Sequence, residues 1–427
     1  MQRRTVLAGA TAVSASRVMG ANDRVRLGLI GCGGRGRYVG GFMKEAPGAE
    51  FVAVADVFEP FAARAREWSG GGAETYKDFR RLLERKDVDA VLIATPDHWH
   101  IPAAVLACRA GKDVYVEKPL THHVHEGRAL IEAAKKSGRI VQAGTQHRSS
   151  PHFAECARIV QSGELGDVRF VRVWNYMNRH PEGIGRAPDS DPPAGLDWDF
   201  YCGPAPLRSF NAKRFGPTFR QFWDYSGGMI TDYGTHRFDT VHQIMGSDTP
   251  RSVSASGGRF SMKDASEMPD VLQATYEYPG FILSYETMDL NAHGLGGRSP
   301  GMKYYNARGA EDRPHGEAYY GTNGALFADR IGYEIFPERD RIKKRQTNVA
   351  DATSLHARTF VECVRTRAKP PADAVTGHRA TLIGHLGNIA FKTGRKLKWD
   401  AAREEFTGDP EASKLLDRPA RKPWNLV

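Results

Sequence analysis

The stretch Val25-Arg26-Leu27-Gly28-Leu29-Ile30-Gly31-Cys32-Gly33-Gly34-Arg35-Gly36 decides the fold. A short apolar run ends at Gly31, and glycines recur at positions 33 and 36 as a helical pattern begins over residues 35–45. GxGxxG alone is a weak motif. Between a strand and a helix each glycine gains a distinct role. Gly31 makes the tight turn, Gly33 lets backbone approach a pyrophosphate, and Gly36 lets the helix close on the strand. Gly34 and Arg35 open the helix, whose unpaired N–H groups and partial positive charge suit phosphate. Asp56 ends the next apolar run, about 20 residues beyond Gly36, where a carboxylate accepts the hydroxyls of an adenosine ribose. Its charge would repel a 2′-phosphate. That favours NAD over NADP, although Arg35 and Arg37 keep NADP open.

Outward from this turn, apolar runs over residues 51–55, 90–93, 113–116 and 139–143 alternate with helical patterns over 60–68, 101–110 and 126–137. Such alternation predicts βαβ units and a doubly wound parallel sheet. Beyond residue 148 the texture changes. Pro, Gly and aromatic residues interrupt the chain between 179 and 217, and alternating segments at 168–174, 271–278 and 281–286 predict an open, mostly antiparallel sheet. Helical patterns return at 354–365 and 378–391. The expectation is therefore an α/β Rossmann domain over residues 23–148, binding NAD, and an α+β domain over 149–427.

A chain of 427 residues exceeds one ordinary core, and 41% hydrophobic with 26% charged residues excludes a disordered or collagen-like protein. The longest apolar segment, residues 5–16, falls short of the roughly 20 residues of a spanning helix, so no membrane partner is expected. The net charge is +10. The basic run RDRIKKR at 339–345 comes with no base-reading motif, so it reads as a solvated face and no nucleic-acid partner is expected. Cys32, Cys108, Cys156, Cys202 and Cys363 are odd in number and widely spaced, which argues against a disulfide framework or a zinc site. His122, His123, His125 and Glu126 are too close in sequence to surround a tetrahedral metal without strain, so no metal is assigned. Residues 1–21 carry Arg3-Arg4, a weakly apolar stretch and small residues, with cleavage after Ala15 or Ala21. They resemble a twin-arginine leader, which implies export in the folded state to the periplasm or beyond.

Two segments carry chemistry. Glu117-Lys118-Pro119 follows the strand at 113–116, on the carboxyl edge where open α/β sheets bind ligands. Asp232 and His236 are four apart and share a face if their stretch is helical. Oxidation of a secondary alcohol requires removal of the hydroxyl proton, which suits His236 with an ordinary pKa near 6.5. Lys118 can stabilise alkoxide charge, or relay the proton if its pKa is lowered. Asp232 can orient the histidine or bind a neighbouring hydroxyl. Thr95-Pro96-Asp97-His98-Trp99-His100 follows the strand at 90–93 and should line the cleft. Trp174, Tyr176, Trp198 and Trp223 offer flat surfaces for a sugar ring.

This ordered combination resembles the Gfo/Idh/MocA family of nicotinamide-dependent sugar and cyclitol oxidoreductases. The resemblance implies that Lys118, Asp232 and His236 are catalytic, and that Thr95, Pro96, His98, His100, Glu117, Lys118 and Gln146 join the glycine turn in holding the cofactor. It implies that His147 and Arg148, with Trp174, Tyr176 and the catalytic residues, contact substrate. It also implies that the second domain forms the substrate wall and a homo-oligomer interface through its sheet. The expected activity is NAD(P)-dependent oxidation of a sugar or cyclitol. Free NAD is scarce outside the cytoplasm, so the cofactor of an exported enzyme should be tightly retained. The alternative is an NAD-dependent glycoside hydrolase acting by transient carbon-3 oxidation and elimination. In relatives that work so, the position of Asp232 often departs from aspartate, which favours the dehydrogenase. A nucleotide sensor without catalysis would not need Lys118, Asp232 and His236 together.

Overall fold

A computed structural model describes residues 24–292 and 314–426. The expected leader at residues 1–21 lies outside them. The first unit runs β1 (Val25–Ile30), α1 (Gly34–Lys44), β2 (Ala49–Ala55), α2 (Glu59–Ser69), β3 (Glu74–Tyr76), α3 (Phe79–Leu83), β4 (Ala90–Ile93), α4 (His100–Arg109), β5 (Asp113–Val116), α5 (Glu126–Ser137) and β6 (Val141–Ala143). Its strands lie in the order β3-β2-β1-β4-β5-β6, all parallel. Every residue of β4 and β5 is buried because the sheet is covered on both faces, which is why these strands read as unbroken apolar runs. The order reverses between β1 and β4, and a crevice opens there at the carboxyl ends of the strands.

The chain then forms α6 (Pro151–Gln161), β7 (Phe170–Tyr176), α7 (Trp198–Cys202), α8 (Met229–Met245), β8 (Ser252–Gly258), β9 (Val271–Tyr278), β10 (Phe281–Met288), β11 (His315–Gly321), β12 (Gly324–Asp329), β13 (Gly332–Pro337), β14 (Arg345–Asn348), α9 (Thr353–Thr366), α10 (Ala374–Thr393), β15 (Leu397–Asp400), β16 (Glu405–Phe406) and α11 (Pro410–Lys414). Ten strands form one sheet, β14-β13-β12-β11-β7-β10-β9-β8-β15-β16, with β7 and β10 the parallel pair. One face packs on α8 and α10: Val171, Val173, Tyr276 and Leu283 share a core with Phe238, Val241, Ile383 and Leu386. The cores do not respect the junction at residue 148. Ala357, Phe360 and Val361 of α9 pack with Leu27, Leu29 and Val39 of the first unit.

Three expectations about side chains are corrected by this packing. Successive strand residues face opposite ways, so while Val171 and Val173 face the helices, Trp174 and Tyr176 face away from α8. Trp174 lies against Phe327, and the Tyr176 hydroxyl donates to Glu286 Oε2 at 2.6 Å. Neither can touch a substrate bound beside α8. Arg148 is an internal strut: Nε donates to Asp239 Oδ1 at 2.9 Å, and a second guanidinium nitrogen donates to the Asp239 carbonyl at 3.0 Å. The Asp239 side chain is fully buried, so removing Arg148 strands a charge. Arg148→Met is expected to lower the unfolding free energy by about 3 kcal/mol, measured by urea denaturation. An unchanged midpoint would contradict the strut.

Candidate active site

A cavity of about 360 Å³ fills the crevice at the switch point, lined by Gly31, Gly33, Gly34, Arg35, Asp56, Thr95, Pro96, Asp97, His100, Glu117 and Lys118 among others. The glycines divide by role. Gly31 has φ +87°, and a Cβ there would lie 2.6 Å from the Thr95 nitrogen; a Cβ on Gly36 would lie 2.4 Å from the Gly31 carbonyl oxygen. Both are fixed by protein packing. Gly33 and Gly34 face open space, with nothing within 4 Å of an added Cβ. Packing does not account for these two, which leave the backbone open to the cleft.

The remaining cradle fits a dinucleotide. Asp56 accepts from the Cys32 N–H at 2.7 Å and the Phe58 N–H at 2.9 Å, which aims its carboxylate along the cleft. Burial pushes it up to about 6, and these N–H groups hold it down, so it is mainly ionised at neutral pH. Arg35 Nη2 and Thr95 Oγ1 are buried without partners. Arg35 Nε donates to Glu117 Oε1 at 2.8 Å, and the Glu117 carboxyl lies flat on Gly144. His100 ties the walls together: Nδ1 lies 2.7 Å from the Pro119 carbonyl oxygen and Nε2 2.9 Å from that of Thr95.

At the inner end the two units meet. Lys118, two residues past the end of β5 and joined to Pro119 by a cis peptide, forms an ion pair with Asp232 Oδ1 and donates to the Asp232 carbonyl at 3.1 Å. Arg220 Nε donates to the same Oδ1 at 3.0 Å. Burial alone would raise the Asp232 carboxyl, but Lys118 and Arg220 together hold it well below the usual carboxylate range. Asp232 lies in the first turn of α8, where the helix dipole also favours an anion. His236 follows one turn later. Burial, then the charges of Lys118, Arg330 and Arg35, hold its imidazole well below its usual pKa, so the ring is neutral. Its Nδ1 is buried without a partner, and it lies 4.9 Å from the His147 ring.

Some expected residues fall elsewhere. His98 points away from the cleft into an aromatic cluster, with Nε2 2.9 Å from the Tyr201 carbonyl oxygen and the ring 5.1 Å from Tyr225. Gln146 is buried and does not line the cavity, while His147 stacks on Phe153 beside His236. Trp198 is buried against Tyr201 and Phe210, and Trp223 lies under the Lys392 ammonium. Glu126, from the histidine-rich stretch, ties down the turn before α5 by accepting the N–H groups of His122 and His123.

Sequence reasoning assigned no chemical role to three participants. Arg220 is one. Asp97 is another: burial pushes it up to about 7 with Arg220 opposing, and the Ser226 hydroxyl donates to it at 2.6 Å. The third is a strap from the second unit over the adenosine end of the cleft. Gly195 accepts from the Glu59 N–H, Asp197 N–H donates to the Val57 carbonyl, both at 2.9 Å, and Phe215 packs on Phe58 and Phe61.

Two family models cover this architecture. One described as an oxidoreductase family with an NAD-binding Rossmann fold matches residues 25–145. Its companion, described as the C-terminal alpha/beta domain of that oxidoreductase family, matches 157–307 and 306–426. The chain belongs to the Gfo/Idh/MocA family. Within this family it is 27% identical over 398 residues to scyllo-inositol 2-dehydrogenase (NAD(+)) of Bacillus subtilis (strain 168), spanning 90% of this chain and 99% of the relative. It is 24% identical over 382 residues to myo-inositol 2-dehydrogenase of Thermotoga maritima, spanning 88% and 98%. A structure of levoglucosan dehydrogenase with NADH and levoglucosan superposes with a TM-score of 0.66 at 18% identity, covering 88% of this chain and 99% of that one. Aldose-aldose oxidoreductase from Caulobacter crescentus gives 0.64 at 19% identity, with coverage of 88% and 99%. The chain thus carries the NAD-binding Rossmann fold of an oxidoreductase family, and the relatives it matches along most of its length include two inositol dehydrogenases.

The two glycine classes respond differently to one methyl group. Gly33→Ala should fold normally and weaken NAD binding about tenfold or more, ~1.4 kcal/mol, by calorimetry. Gly36→Ala should instead cost about 1–3 kcal/mol of stability through overpacking, by thermal unfolding. The reverse pattern would refute the cleft assignment.

Proposed function

We propose that the protein oxidises a secondary alcohol of a sugar or cyclitol with NAD that stays bound between turnovers. The observation that carries this reading is Lys118, which lines the glycine cleft, pairs with Asp232 behind it and lies within electrostatic reach of the neutral His236. Nicotinamide, when bound, supplies the hydride acceptor. Gly33, Gly34, Arg35 and Asp56 would hold the dinucleotide, and Thr95, Pro96 and Glu117 would border its reactive end.

His236 is unprotonated at neutral pH and so is ready to accept the hydroxyl proton. The Lys118 ammonium, paired with ionised Asp232, can stabilise the oxygen as that proton leaves. Asp232 positions the Lys118 ammonium and is itself fixed by Arg220. Asp97, half-protonated near neutrality, can exchange a proton with a substrate hydroxyl. The carboxylate of Asp56, with the repulsion it offers a 2′-phosphate, supports NAD over NADP.

Retention rests on the strap. Phe200, Tyr201, Phe215, Pro217 and Phe219 wall the cleft opposite the Rossmann strands, so bound nucleotide would leave only if the strap opened. A retained cofactor suits the folded export implied by the twin-arginine-like leader. The outward face of the ten-stranded sheet exposes Phe170 and Ile282, which supports its use in a homo-oligomer.

Two measurements test the reading. Purified, extensively dialysed protein should release close to one NAD per chain on denaturation; empty protein that binds added NAD reversibly would remove the retention. His236→Ala should keep its nucleotide and lose about 100-fold or more in turnover of a sugar or cyclitol panel. Undiminished turnover would overturn the assignment of the base.

A further inference from the structure

Behind the wall of the nucleotide cleft lies a segment that the reaction does not use. Beyond α11, residues 417–426 form neither helix nor strand, and among them only Trp424 is buried. Its ring stacks on Phe200 of α7 at 4.6 Å and meets Trp99 at a right angle at 5.6 Å. Phe200 and Trp99 both line the cleft. On the Rossmann side, the Arg80 guanidinium of α3 lies 5.4 Å from the Trp424 ring centre and 5.5 Å from that of Phe200, a cation–π contact with both. Trp424 therefore sits in the seam between the two units, one aromatic layer behind the cleft.

The remaining contacts fasten the segment to α7. Trp424 Nε1 donates to Asp199 Oδ2 at 3.2 Å, and Arg421 Nη1 donates to Asp199 Oδ1 at 2.8 Å. Arg421 Nη2 donates to the Asp199 carbonyl at 2.9 Å, and its Nε to the carbonyls of Gly203 and Ala205, both at 3.1 Å. From inside, α7 is held by the Trp99 indole, which donates to the Phe200 and Tyr201 carbonyls at 3.1 Å. The two sets of ties differ in what protects them. Trp99 is covered by Phe79, Phe200 and Trp424 itself. The outer ties hang on one buried ring and one partly exposed guanidinium. A segment with so few buried contacts opens locally without global unfolding, so the outer ties release first.

We infer that residues 418–426 are a latch on nucleotide exchange: NAD enters and leaves the cleft only while Trp424 is out of its site. Once Trp424 leaves, Phe200 loses its outer support, Trp99 is uncovered, and α7 can move off the cleft with Tyr201, which also lines it. This inference rests on the NAD reading of the cleft and gives the retention proposed above a moving part. The strap around Asp197 and Phe215 covers the nucleotide, and the latch decides when that cover lifts.

The test follows nicotinamide fluorescence of NADH on full-length protein. Release is read by chasing NADH-loaded protein with excess NAD, and association by adding NADH to charcoal-stripped protein. Trp424→Ala and Arg421→Met should each speed release about tenfold or more, the effect of removing an aromatic pair or a charged hydrogen bond. Both should speed association as well, so that Kd changes less than either rate. Trp424→Phe keeps the stack without the indole donor and should fall between. Thermal melts show which variants fold, and Arg421→Met and Trp424→Phe carry the test if Trp424→Ala does not. Native rates in the folded variants overturn the latch. Faster release with unchanged association also overturns it, because that is the pattern of a lost contact and not of a gate. Release from native protein within seconds overturns the retention, while the ratio of variant to native rates still decides the latch. Failure to bind NADH overturns the cleft reading and the latch with it.

Discussion

The Lys118–Asp232 ion pair is the constraint on which the rest of the site depends. It joins the carboxyl edge of the parallel sheet to the first turn of α8, and neither half of the site exists without the other. A buried ion pair is a poor source of stability unless further hydrogen bonds satisfy its members. Here Arg220 supplies a second cation and the helix dipole a third favourable contribution. Asp232 is thereby fixed as an anion. Burial first, and then the Lys118 charge, keep the His236 imidazole neutral. A neutral imidazole beside a charged ammonium is the arrangement that proton removal requires.

The interleaving of the two units follows from that junction. α9 returns from the second unit to complete the Rossmann core, and the strap around Asp197 and Phe215 crosses back over the cleft. These crossings hold the junction rigid enough to keep Lys118 and Asp232 in register. They also wall the nucleotide site with aromatic side chains. The Arg148–Asp239 pair lies at the same junction, where a buried charge pair ties α8 to the turn after β6.

How much of this was legible in the sequence depends on which physical signal each part carries. Strands β1, β4, β5 and β9 and helix α5 were readable to the residue, because buried parallel strands give apolar runs, antiparallel β9 alternates, and amphipathic helices keep their period. Short β3 and α3 carry too few residues for either signal, and the hairpins β11–β14 are broken by glycine and polar residues. Helix α8 is buried nearly all round and has no polar face; only the spacing of Asp232 and His236 marked it. Trp174 and Tyr176 were misplaced because residue type says nothing about which sheet face a strand position takes, and the parity of β7 sends them outward. His98 and Arg148 were misplaced for a related reason: proximity to a motif does not fix side-chain direction. Arg220, Ser226 and the strap could not be read at all, since irregular loops acquire their geometry from the contacts they make.

The central claim is that one cleft brings a polyol carbon to NAD under the control of the Lys118–Asp232 pair and His236. Its most direct test is label transfer from a panel of inositols, aldoses and uronates deuterated at the ring carbons, using NAD-loaded protein and mass analysis of the released nucleotide. Deuterium should appear on the nicotinamide ring with native protein and be lost, with NAD still bound, in Lys118→Met. Transfer that persists at the native rate in Lys118→Met, or bound NAD that never acquires label from any member of the panel, would contradict it.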